Sequence, residues 1–350
     1  MLSEILRGGD SLWVASLIFA GSAAVVWAAG TRLAEYADRF ATATGIGGAL
    51  VGLVLLGGIT SLPEIATSAT AAHQGAGGLA ANNLVGGVAL QLMALALVDA
   101  LIGREALTAR VPRADVLAYA AMNIALLVLV AALVAAGDIR LPGTHLGLGS
   151  IAMVAAYGFC IVSARQIGKA AAWRPTNPGR GDRDEPVSPS ARESVVKLSA
   201  LLATTGAVIL VAGYLLARSG EILARETGLG ENFFGAVFLG GATSLPELSS
   251  AIAAVRLNRP QMAIGDVLGG NLFNLSLLAL VDGFYGAGPV LAELGAFTVV
   301  AACLAALLCS VLIVGLVERR DRTIFRIGYD TAAMMGIFAV GAVALYFLRG

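Results

Sequence analysis

Eight residues, Gly57 to Glu64, read GGITSLPE, and they return as GGATSLPE from Gly240 to Glu247 with seven of the eight positions the same. Each copy sets one carboxylate beside a proline, a threonine, a serine and a glycine pair, inside an apolar stretch without Lys or Arg. An ionised side chain in hydrocarbon costs at least ~2.5–3.5 kcal/mol, so Glu64 and Glu247 need a counter-charge, and a bound cation or a proton is the natural one. The hydroxyls of Thr60, Ser61, Thr243 and Ser244 lie one turn before these carboxylates. Pro63 and Pro246 have no N–H to donate and crowd the carbonyls four residues back, those of Ile59 and Ala242, which adds neutral oxygens. Two carboxylates among hydroxyls and carbonyls, with no His or Cys nearby, make an all-oxygen site, which suits Ca²⁺ or Na⁺ and not Zn²⁺.

The similarity extends past the motif. Laid at an offset of 183, residues 57–99 and 240–282 agree at 17 of 43 positions and both end in LALVD. The second part of each copy reads NNLVGGVALQ (82–91) and GDVLGGNLFN (265–274). Residues 266, 270 and 274 share one helix face at four-residue spacing, as do their counterparts 83, 87 and 91. Gln91 and Asn274, each 27 residues beyond its glutamate, are therefore expected to face the same centre as amide ligands, with Asp266 and Asn271 as weaker members of the strip. The core is expected to hold two carboxylates and no third acid. Gly86-Gly87 and Gly269-Gly270 fit either close helix packing or the site itself.

The elements that must position these groups are membrane helices. The chain of 350 residues is 58% hydrophobic and 13% charged, with mean hydropathy +0.84, which excludes an ordinary soluble domain. Lys plus Arg balance Asp plus Glu at 23 each, so no net charge points to nucleic acid, and lipid is the expected surrounding. Stretches long enough to cross a bilayer fall near 12–34, 45–72, 77–101, 115–137, 143–165, 196–219, 229–255, 261–285, 290–317 and 327–348. The first is read as a span and not as a cleaved signal. The fold class expected is thus an all-α membrane protein of ten transmembrane helices. Residues 1–166 form one five-helix half, with its repeat at about 45–101, and 196–350 the other, with its repeat at about 229–285. The Pro-, Gly- and Ser-rich segment 167–195 is the linker.

With the N-terminus outside, the loops on the linker side carry 18 of the 23 basic residues, so both termini are expected outside and the linker in the cytoplasm. Five spans separate the two motif copies. Five is odd, so the second copy is inverted relative to the first, an arrangement that places a transported ion near the midplane. Asp99 and Asp282 end their helices and are expected at the interface, outside the site. Cys160, Cys303 and Cys309 stand singly, without metal-ligand spacing, as packing residues. Neither His73 nor His145 has a partner at ligand spacing. No Ser-His or Cys-His pair falls in the spans, so an intramembrane enzyme is disfavoured.

On these motifs the chain resembles the calcium/cation antiporter superfamily, in particular the sodium/calcium exchangers, whose inverted repeats carry G-T-S-x-P-E and G-[ND]-x-x-G-S-N-x-x-[ND]. The resemblance implies a transporter in a bacterial-type inner membrane that exchanges Ca²⁺ for Na⁺ by alternating access and needs no cofactor. Glu64 and Glu247 would bind the ions in alternation, with Thr60 and Thr243 giving backbone carbonyls, and Ser61, Ser244, Gln91 and Asn274 completing the shell. The chain departs from the family motif where Gly87 and Gly270 replace serine and Gln91 replaces asparagine. These departures leave open a proton-coupled or differently selective exchanger on the same scaffold. A passive cation channel is a further alternative.

Overall fold

The structure, a computed structural model, describes residues 11–102, 107–111, 114–169, 194–225, 240–318, 323–324 and 327–348. Nearly all of these are helical. Helix α1 is Ser11–Thr44, followed by α2 (Gly48–Thr60), α3 (Leu62–His73), α4 (Gly77–Ile102), α5 (Ala114–Ala136) and α6 (Leu148–Lys169). The second part contains α7 (Val195–Arg225), α8 (Gly240–Thr243), α9 (Leu245–Arg256), α10 (Pro260–Ser276), α11 (Leu278–Tyr285), α12 (Val290–Glu293), α13 (Ala296–Glu318) and α14 (Tyr329–Phe347). The two-residue strands β1 (Thr323–Ile324) and β2 (Ile327–Gly328) pair antiparallel ahead of α14.

Among the described residues, eight helices are long and apolar enough to cross a membrane, and the bent pair α2–α3 is a ninth if counted as one span. The expected seventh span is described only from Gly240 onward. Its residues 229–239, and residues 170–193 of the expected linker, lie outside the described residues. Side chains such as Trp13, Leu17, Phe159, Val196, Val340 and Phe347 are more than two-thirds exposed on the outer helices. So much uncovered apolar surface is stable only against lipid, and the protein is an integral membrane protein.

The expected first span, 12–34, is the apolar part of a longer helix. At 1.5 Å per residue α1 is about 51 Å long, well beyond the ~30 Å hydrocarbon layer. Its polar end is held by ion pairs, Arg32 to Glu35 at 2.9 Å within the helix and Arg259 to Asp38 at 2.7 Å. The second of these fastens α1 to the residue that caps α10.

Burial separates the centre of the bundle from its rim. In the spans Gly77–Leu101 and Pro260–Tyr285, 78% and 83% of the residues in the apolar window are buried, against 17% in Tyr329–Phe347. The two helices that carry Gln91, Asp266 and Asn274 are therefore the inner ones. Packing also respects the 183-residue offset. α1 lies against α7, α4 against α10 and α5 against α13; α1 crosses α9 as α7 crosses α3, and α5 packs on α10 as α13 packs on α4. Gly30 and Gly213, themselves 183 apart, occupy equivalent crossings. A Cβ on Gly30 would lie 2.9 Å from the Pro246 carbonyl, and one on Gly213 would strike the Pro63 ring.

Asp99 and Asp282 have a role in this assembly that their positions at helix ends did not reveal. Both are buried. Asp99 accepts from Leu107 N at 2.6 Å, Gly328 N at 3.1 Å and Thr331 Oγ1 at 2.8 Å. Asp282 accepts from Val290 N at 2.6 Å and Gly147 N at 2.8 Å. Each acid thus ties its helix to the chain eight residues on and to the start of the last helix of the other part. Charged hydrogen bonds are worth about 1.5–3 kcal/mol each. Asp282→Asn, which turns an NH₂ toward one of those backbone donors, is expected to lower the thermal midpoint in detergent by several degrees. Asp99→Asn should do the same, and a midpoint unchanged in both would mean the bonds carry no net stability.

Candidate cation site

Each repeat motif breaks its helix at the serine. Ser61 has φ −82° and ψ 7°, and the axis bends by 41° between α2 and α3; Ser244 has φ −79° and ψ 3°. The sequence suggests a proline interrupting one helix. Instead two helices meet end to end, and Pro63 and Pro246 stand in the first turn of the second, where a missing N–H removes no intrahelical bond. Glu64 and Glu247 occupy the same first turns. The unpaired N–H groups there form the positive end of the helix, which favours a carboxylate. Neither serine side chain caps its helix, and Ser61 Oγ is left without a partner.

All eight residues singled out from the sequence are buried: Thr60, Ser61, Glu64, Gln91, Thr243, Ser244, Glu247 and Asn274. The two motifs face one another. Thr243 lies near the Glu64 carboxyl and Thr60 near that of Glu247, so each motif's threonine meets the other motif's acid. Gln91 Nε2 donates to Glu247 Oε1 at 3.4 Å, which brings the first repeat's amide to the second repeat's acid. The two repeats also carry buried oxygens with no hydrogen-bond donor, among them Ser61 Oγ, both oxygens of Glu64, Gln91 Oε1, Glu247 Oε2, Asn274 Oδ1 and Asn271 Oδ1, the last on an amide whose nitrogen is unpartnered as well. Buried acceptors are normally satisfied, and an unpaired one costs about 1–3 kcal/mol, more if charged. No Lys, Arg or His is among the buried side chains of the described residues. What such a cluster can accept is a cation. Among the described residues no three acidic, His or Cys side chains converge closely enough to chelate a metal by themselves, so neutral oxygens must share the work.

The glycines divide by role. A Cβ on Gly57 would lie 2.7 Å from the carbonyl carbon of Gly269 and 3.0 Å from the Asp266 carbonyl oxygen, and one on Gly269 would overlap the Leu53 backbone. These two let α2 and α10 touch backbone to backbone. The π-helical stretch Val51–Leu56 in α2 widens its turns along this contact. Gly270 differs: a Cβ there would meet Ser61 Oγ at 3.4 Å, Gln91 Oε1 at 3.6 Å and the Gly57 carbonyl at 3.7 Å, all oxygens of the candidate site. Gly87 has nothing within 4 Å of that position.

One expectation is overturned. The core holds a third acid, Asp266, fully buried, which accepts from Thr60 Oγ1 at 3.2 Å and is hydrogen-bonded to Ser250. Its four- and eight-residue spacing to Gly270 and Asn274 was the available signal. Its partners, on α2 and α9, are set by tertiary packing. Elsewhere His73 is exposed at the end of α3, and His145 is exposed beside Arg140 at 3.0 Å. Cys160 and Cys309 are buried free thiols and Cys303 is an exposed one.

Comparison with known proteins agrees with this architecture. The family model described as sodium/calcium exchanger protein matches twice, over residues 14–165 and 197–348. The putative antiporter CaxA of Alkalimonas amylolytica is 26% identical over 305 residues, covering 84% of this chain and 88% of its own length. The inner membrane protein YrbG of Escherichia coli is 32% identical over 71 residues, 20% of this chain and 22% of YrbG. Among solved structures, the sodium-calcium exchanger NCX_Mj soaked with 2.5 mM Na⁺ and 10 mM Sr²⁺ superposes with TM-score 0.66 at 17% identity, over 95% of this chain and 99% of that one. The same protein soaked with 10 mM Na⁺ and zero Ca²⁺ gives 0.65 at 16%, with the same coverage. With its duplicated motif, its inner helix pair and a family match across both parts of the sequence, the chain belongs to the sodium/calcium exchanger family of membrane cation antiporters.

Proposed function

We propose that this antiporter exchanges Ca²⁺ for Na⁺ by alternating access, with Glu64 and Glu247 binding the ions and Thr60, Thr243, Ser61, Ser244, Gln91 and Asn274 completing the shell. The observation that carries this reading is the group of donor-less buried oxygens, drawn from both repeats and, among the described residues, without a buried cationic side chain. Ca²⁺ and Na⁺ would compete for the same carboxylates. An unloaded site keeps its negative charge inside a low-dielectric bundle, so only the loaded form can pass the apolar barrier. The fold shared with NCX_Mj, named a sodium-calcium exchanger, supports the choice of ions.

The halves 1–166 and 196–350, joined by the linker 167–195, would form ten spans as two inverted five-helix repeats with both termini outside and the linker cytoplasmic. Packing pairs that exchange under the 183-residue offset support this symmetry. A reporter fused to the C-terminus and found in the cytoplasm would overturn the orientation.

The deciding experiment is ⁴⁵Ca²⁺ uptake into proteoliposomes loaded with Na⁺, compared with K⁺-loaded and acid-loaded vesicles. Uptake that requires internal Na⁺ is the expected result. Uptake driven by a pH gradient alone would favour a proton-coupled exchanger, a reading motivated by Gly87 and Gly270, where the exchanger motif has serine. The two glycines can be tested directly. Gly87 has open space around it and Gly270 faces Ser61 Oγ and Gln91 Oε1, so serine fits at both and adds a hydroxyl ligand at the second. The Gly87→Ser/Gly270→Ser double variant is expected to lower the Na⁺ half-saturation concentration by roughly threefold to tenfold, a range set by one or two extra neutral hydrogen-bond-strength contacts. An unchanged Na⁺ dependence would remove the missing hydroxyls from any account of coupling.

A further inference from the structure

Asp266 is held from two directions: Thr60 of the first repeat reaches one carboxylate oxygen at 3.2 Å, and Ser250 of the second reaches the other. Its place is fixed by backbone as well as side chain, because a Cβ on Gly57 would meet the Asp266 carbonyl oxygen at 3.0 Å, and a Cβ on Gly52 would lie 2.9 Å from its amide nitrogen. Glu247 lies near enough for the two carboxyl groups to act on one another through space. Yet Asp266 does not join Glu64 and Glu247 in a chelating cluster. The residue 183 earlier is Asn83, also buried, whose amide donates to Ser68 Oγ at 3.4 Å and whose oxygen has no partner. A symmetric scaffold therefore carries an acid on α10 at the position where α4 carries an amide.

We propose that Asp266 is a specificity-determining residue of the cation site, which sets the preference for divalent over monovalent ions from outside the ligand shell, by its charge and by orienting Thr60. The inference rests on Glu64 and Glu247 being the cation ligands. A fixed charge at a fixed distance acts on an ion in proportion to the ion's own charge. Removing one unit of negative charge must then weaken a divalent ion by the square of the factor by which it weakens a monovalent one. Asparagine is the fitting replacement, since it keeps the size of the side chain and an oxygen for Thr60.

The test is the half-saturation concentration for Ca²⁺ and for Na⁺, measured separately on the full chain in proteoliposomes. Asp266→Asn is expected to raise the Ca²⁺ value by roughly tenfold and the Na⁺ value by roughly threefold, the second factor being about the square root of the first. Moving the acid to the other repeat, in Asp266→Asn/Asn83→Asp, should return the ratio of the two values toward wild type. Asn83→Asp alone should tighten Ca²⁺ by more than Na⁺, which keeps the idea open to refutation if Asp266→Asn fails to fold. Equal factors for both ions, or no change in either, would overturn the proposal and leave Asp266 a packing residue. Transport that survives Glu64→Gln and Glu247→Gln would instead overturn the ligand assignment on which it stands.

Discussion

Glu64→Gln and Glu247→Gln are each expected to abolish cation-coupled transport, by at least about a hundredfold, and each to leave a protein as stable as the wild type or more so when no ion is present. The two effects have one cause. Glutamine has the volume of glutamate, so the first turns of α3 and α9 keep their packing, while the charge that binds the ion is gone. Its new NH₂ group adds a hydrogen-bond donor among the buried oxygens of the two repeats that have none. Each acceptor so satisfied recovers part of a desolvation cost of about 1–3 kcal/mol. A functional site that gains stability on losing its function is one whose polar groups are arranged for a ligand and not for one another. Wild type should in turn be stabilised by Ca²⁺, by about 2.7 kcal/mol at a hundredfold excess over the dissociation constant, and the variants should not. Thermal unfolding in detergent, with and without Ca²⁺, reads both effects on one sample. A Glu64→Gln protein that unfolds earlier than wild type without ions and still responds to Ca²⁺ would show that this carboxylate is a structural acid.

The two glutamates are legible in the sequence because duplication repeats a whole constellation. A Pro, two hydroxyls and a carboxylate do not recur together in apolar surroundings through shared composition alone. What the sequence hides depends on contacts far along the chain. Asp266 stands on the same helix strip as Asn274, but its hydroxyl partners come from α2 and α9, and only packing brings them together. Asp99 and Asp282 look like acids at helix ends, where a carboxylate normally meets water. Their donors lie eight residues on and, for the cross-ties, 229 and 135 residues away. The first helix extends beyond its apolar stretch for a different reason. Hydropathy measures how much of a helix is apolar, whereas its length is set by backbone bonding, which continues through Arg32, Glu35, Asp38 and Arg39 to Thr44. The glycine pairs are ambiguous because a glycine that admits a backbone and a glycine that opens space for a ligand are the same letter.

That ambiguity yields the second large effect. Gly269→Ala is expected to destabilise the protein by about 3 kcal/mol or more, while Gly87→Ala, the same change on the partner helix α4, should leave stability unchanged or raise it slightly. An alanine Cβ at 269 would overlap the carbonyl of Leu53 and stand 2.6 Å from its Cα, and that neighbour is backbone, which cannot turn aside as a side chain can. Relief requires α2 and α10 to separate, and the same contact includes Gly57 against the Gly269 carbonyl carbon and Gly52 against Met262. Overpacking a core by one methyl typically costs about 1–3 kcal/mol when side chains can adjust, and here the adjustment must come from two helices. At Gly87 nothing lies within 4 Å of the added methyl, so the only terms left are the conformational ones, which favour alanine over glycine in a helix by about 0.5–1 kcal/mol. The pair of variants separates close approach from simple helix propensity, since both make the same substitution in buried helices. Matching thermal midpoints for the two would mean that α2 and α10 are free to part. Distinct midpoints, as expected, would tie the site to that interlock, which holds Thr60 Oγ1 3.2 Å from Asp266 and sets Gly270 against Ser61 Oγ.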